Sequence, residues 1–114
     1  MAQSIRNLTG RQVRVASLDG SELDAVLEPD EVVVTISEQS QTTTFAGVEV
    51  RTRRLRRVVE NLPDQVAQVG LLVRQEVIEE LIERHTIRTD LVCVGPRCEI
   101  DGERAYRGLI RFLE

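Results

Sequence analysis

From Val50 to Val59 the chain reads Val-Arg-Thr-Arg-Arg-Leu-Arg-Arg-Val-Val, and no other stretch restricts the possible folds as strongly. Strand alternation puts Val50, Thr52, Arg54, Arg56 and Val58 on one face, and Arg51, Arg53, Leu55, Arg57 and Val59 on the other. Arginine therefore stands on both faces. Burying an unpaired charge costs several kcal/mol, so this strand cannot lie inside a sheet with apolar core on either side. Its middle must be an edge, a protrusion beyond the sheet, or a surface against something anionic.

Charge counts sharpen this. From Glu49 to Val59 five arginines stand against one glutamate, a net of +4, which leaves −8 for the rest of a chain whose total is −4. The glutamates at 76, 79, 80 and 83 are the obvious complement, within one monomer or between copies in a symmetric oligomer. All 15 basic residues are arginine. A coding bias explains that as well as selection for bidentate anion recognition does, so the clustering carries the information and the residue type does not.

The remaining pattern predicts a single domain over residues 1–114 of α+β type, a mixed and mainly antiparallel sheet of hairpins with one helix. Only Phe45, Tyr106 and Phe112 are aromatic, so the core must be built from Val, Leu and Ile. Residues 11–18 and 22–27 alternate around Asp19-Gly20, a hairpin turn dipeptide. The β-branched run 31–37 reads as a central strand, and 38–41 as a loop. Residues 42–45 and 48–59 flank Ala46-Gly47 as a second hairpin, ended by Asn61-Leu62-Pro63-Asp64. A short strand at 69–73 precedes a helix over about 74–85, where Val77, Ile78, Leu81 and Ile82 recur at helical spacing. With Leu91-Val92-Cys93-Val94 this gives a strand-helix-strand crossover. The last hairpin turns at Asp101-Gly102, from 97–100 to 104–112.

Catalytic signals are missing. There is no glycine-rich phosphate loop, dinucleotide fingerprint or Gly-x-Ser-x-Gly elbow. His85, the single histidine, falls beside the apolar stripe at the helix end and reads as packed and capped; a general base is the alternative. Cys93 and Cys98 are too few for a structural zinc site and read as ordinary thiols, so neither metal nor cofactor is expected. The acidic balance, with no aromatics interleaved among the arginines, argues against nucleic acid. No apolar run approaches a bilayer span, and the polar start lacks a secretory signal, so a cytoplasmic location is expected.

Several segments resemble a family of small uncharacterised proteins from bacteriophages and from actinobacterial and cyanobacterial genomes. They are Asn7-Leu8-Thr9-Gly10, Gly47 to Arg53, Asn61-Leu62-Pro63, Leu72-Val73, Arg88 to Val92, Gly95-Pro96 and Arg107-Gly108-Leu109. Family members often carry cysteine before the final Arg-Gly-Leu, where this chain has Tyr106. The resemblance brings no activity; its phage association implies a small protein that binds, blocks or sequesters host molecules.

The expectation is thus a non-enzymatic binding protein, homo-oligomeric, holding a small anionic, nucleotide-like ligand on Arg51, Arg53, Arg54, Arg56 and Arg57. A module docking an acidic protein partner without any small ligand is the alternative, and a small enzyme using His85 the second. A charged edge that merely prevents aggregation fits the same residues.

Overall fold

Leu71 and Leu72 are neighbours in sequence, yet each is buried in a different hydrophobic cluster, and the architecture follows from what covers the two sides of their strand. The computed structural model describes residues 4–86 and 88–112, excluding the side chains at 38–41 and 53–56. In chain order the elements are β1 (Ser4–Asn7), β2 (Val13–Ala16), β3 (Leu23–Leu27), β4 (Thr35–Phe45), β5 (Val48–Glu60), β6 (Val69–Leu72), α1 (Gln75–Glu83), β7 (Leu91–Val94), β8 (Arg97–Ile100), β9 (Glu103–Arg107) and β10 (Leu109–Ile110). The protein is α+β, mostly sheet with one helix among the described residues. Strands β1-β6-β7-β10 form one four-stranded sheet, β3-β2-β9-β8 a second, and β4-β5 a separate two-stranded ribbon.

The first sheet is covered on both faces, which is why β6 and β7 are apolar throughout. On one side Leu71, Val73, Leu91 and Cys93 pack with Val77, Ile78 and Leu81 of α1. On the other, Leu72 packs with Val13 and Val15 of the second sheet, flanked by Val92, Val94 and Tyr106. The layers are helix, sheet, sheet. β1, β6 and β7 run parallel, Leu71 facing Leu91 and Leu72 facing Val92 in register, so the strand-helix-strand crossover is present.

α1 starts one residue later and ends two earlier than its periodicity suggests. Arg84 is the C-cap, and His85 takes a left-handed conformation at φ 58°. The His85 N–H donates to the Ile82 carbonyl, and that of Thr86 to Leu81, closing the helix in the pattern glycine usually serves. His85 is exposed, contrary to the packed position its spacing implied. The helix stops before its apolar stripe reaches that residue.

The hairpins form where their turns predict them. β2 pairs with β3 antiparallel, Val13 opposite Leu27. Their loop is longer than a two-residue turn, with the Ser17 N–H donating to the Glu22 carbonyl and the Asp19 carboxylate accepting from Ser17 and Ser21. Those bonds hold the Asp19 carboxyl down at about 2. Ala46 and Gly47 both have positive φ, which suits a tight two-residue turn.

Three strand and loop expectations fail. Residues 31–34 are not a strand: the Val34 N–H donates to the Leu8 carbonyl and its side chain is buried in the helix-side cluster. The β-branched run serves as a core plug, and the strand after it, Thr35–Phe45, includes the polar 38–41 because β5 supplies the partner. The last strand also splits. Gly108 breaks it at φ 63°, so β9 stays with β8 while β10 crosses to pair with β7. A Cβ at Gly95 would run into the Arg107 carbonyl, so the crossing needs glycine there.

Candidate functional site

Among the described residues β4 and β5 pair only with each other. Ile36 and Val59, opposite one another at the root, pack against the helix-side cluster. Beyond the root, residues 42–49 are exposed, including Phe45 and Val48 at the tip. The molecule measures 61 × 35 × 29 Å, and its radius of gyration is 17.7 Å, against about 13 Å for a compact chain of this length. The ribbon is a projection, one of the three placements its sequence left open.

Within it the five arginines divide. Arg51 is exposed opposite Thr42, and Arg53 lies opposite Ser40. Arg57 pairs with Glu38, so three residues of β5, Arg54 to Arg56, bulge against the single Gln39. The side chains of Arg53, Arg54 and Arg56 are outside the described set. Arg57 shares the inward face of Val59 two residues on, and lines a cleft with Glu79, Glu80 and Glu83 of α1. The acidic helix face is thus complementary to the ribbon within one monomer, at its root.

A residue from outside the arginine strand fastens that root. Arg84 pairs with Glu80 at 3.0 Å, and its guanidinium also donates to the Arg57 carbonyl. Glu80 is a buried carboxylate on a helix whose other acids are exposed, so the pair neutralises a charge that would otherwise be costly. Arg84 is not among the candidate site residues named from the sequence. The signal that could have found it is Glu80 itself, which falls between Val77 and Leu81 on the apolar stripe.

The remaining candidates do not join this group. Cys93 and Cys98 are free thiols on strands of different sheets. Burial, aided by the charges of Glu79 and Glu76, pushes the Cys93 thiol up, away from the thiolate a nucleophile needs. His85 lies past the helix end, outside the cleft of Arg57 and the glutamates. No helix among the described residues is long and apolar enough to cross a membrane. No family model, curated protein or solved structure matches the chain.

Proposed function

We propose that this protein is a non-enzymatic binding protein that assembles with copies of itself through the β4–β5 ribbon and holds a small anionic, nucleotide-like ligand there. The observation that carries the reading is the exposure of residues 42–49, with Arg51 and Thr52, on a ribbon outside both sheets. A two-stranded ribbon is marginally stable in water alone and leaves an unpaired edge on each strand, so a covering partner suits it. Two ribbons brought together would each bring the +4 of residues 49–59. Such a contact favours an anion between them, and arginine forks suit phosphates and carboxylates. In this reading Arg51, Arg53, Arg54 and Arg56 face the ligand, while Arg57, among the glutamates, anchors the root.

The test is mass spectrometry of small molecules released by heating the purified protein, with titration of nucleotides into the emptied protein. A nucleotide-sized anion bound at near-stoichiometric level, lost in the Arg51→Glu, Arg54→Glu variant, is the expected result. No released ligand and no nucleotide binding would contradict it. Capture of an acidic protein by the same ribbon instead would replace it with the docking alternative.

A further inference from the structure

A second site lies away from the ribbon, at the carboxyl ends of the parallel strands β1, β6 and β7. There a cleft of about 430 Å³, within the range of small-molecule sites, has Val13, Val73 and Val94 as apolar lining. Arg11, Arg74 and Tyr106 also line it.

Arg6, Arg14, Arg84 and Arg88 are each paired with a carboxylate. The guanidinium groups of Arg11 and Arg74, by contrast, make no ion pair or hydrogen bond among the described residues, and neither does the Tyr106 hydroxyl. Two guanidinium groups and a phenol thus line one concavity with their donors open. An anion there would meet donors that no carboxylate holds in an ion pair.

The backbone that presents Arg11 is fixed. Asn7, 2% exposed, donates from its amide to the Arg11 carbonyl at 2.7 Å and to the Leu27 carbonyl at 2.9 Å. Its oxygen accepts from the Thr9 hydroxyl at 2.6 Å. On the other side the Val73 N–H donates to the Val92 carbonyl, which sets the chain just before Arg74. Both arginines therefore leave from rigid backbone, which lowers the entropy lost when a ligand is held.

We infer that this cleft binds a small organic anion, its phosphate or carboxylate held between Arg11 and Arg74 and its body lying against Tyr106 and the valine lining. Glu76, also at the cleft, accepts from a hydroxyl or amine of the ligand and disfavours a second anionic group on that side. The inference stands apart from the ribbon reading, since no residue is shared.

Amide NMR titrations with inorganic phosphate, adenosine monophosphate and succinate at low salt test it and separate the two sources of negative charge. Saturable shifts at Arg11, Arg74 and Gln75 are expected, with adenosine monophosphate binding more tightly than bare phosphate. Arg11→Gln with Arg74→Gln should weaken binding by about tenfold or more, and Tyr106→Phe should weaken it less. Arg51→Gln should leave these shifts intact while impairing any ribbon binding, so each reading can fail without the other. Both arginines are exposed, and an unchanged amide spectrum of the free variant verifies its fold. Absence of saturable shifts with all three probes at millimolar concentration overturns the inference. So do shifts that survive the double substitution.

Discussion

The layered body and the ribbon contain comparable strands but are held by different forces. In the body, Leu72 is fully buried between two sheets, and β6 and β7 are covered on both faces. The ribbon's cross-strand pairing takes in ten residues of β4, interrupted at Gln39, yet among the described side chains apolar packing against the core supports Ile36 and Val59 alone, at the root. Backbone pairing alone makes an element; burial makes it stable, because each exposed pair gains little over its hydrogen bonds to water. The chain maintains a long element with little burial of its own among the described side chains, and the proposed assembly rests on that contrast.

The contrast breaks most visibly in the core. Leu72→Ala should cost about 2–5 kcal/mol in urea unfolding, through lost burial and the cavity between the sheets. Thr43→Ala, on the exposed ribbon, should stay within about 0.5 kcal/mol. Equal losses at the two positions would mean that the ribbon carries a core of its own.

A smaller effect is expected where the regions meet. Arg84→Met removes the partner of buried Glu80 and the donor to the Arg57 carbonyl, and should cost about 1–3 kcal/mol. It should also speed amide exchange at 57–60 relative to β6. If the ribbon root keeps its protection in that variant, Arg84 is not what fastens it.

Acid should act on the body first. The Arg6 guanidinium, with the Val32 N–H, holds the Asp30 carboxyl at about 2, below its ordinary 3.8. A depressed carboxyl pKa contributes stability that is complete above the unfolded value and lost as pH falls through the folded one. The loss should fall between about pH 4 and pH 2, and Asp30→Asn should flatten the stability profile there. An unchanged profile would show that the pair on β1 contributes nothing. Asp19 shares this window, so the comparison must be with wild type rather than with a flat baseline.

Much of the fold was legible because local chemistry dictated it. Asp19-Gly20, Ala46-Gly47 and Asp101-Gly102 all turn the chain, and the stripe of Val77, Ile78 and Leu81 makes a helix packed on β7. What escaped was set by distant partners. Val34 looks like a strand residue until Leu8 claims its N–H, and 104–112 looks continuous until β7 draws Leu109 and Ile110 into the other sheet. That the arginine strand lies outside a covered sheet was readable from its alternation; that it protrudes, rather than forming a sheet edge, was not. The destination of Arg57 was half readable, as a choice between its own helix and a second copy. The cleft of Arg11, Arg74 and Tyr106 was not, since three remote segments build it.

Hydrogen exchange of the ribbon amides that point away from the partner strand, measured with the solution mass, tests the central claim most directly. A covered ribbon predicts a mass at least twice 12.9 kDa, with slow exchange of those amides between Thr42 and Thr52. A mass of 12.9 kDa with the same amides exchanging at open-chain rates would contradict it.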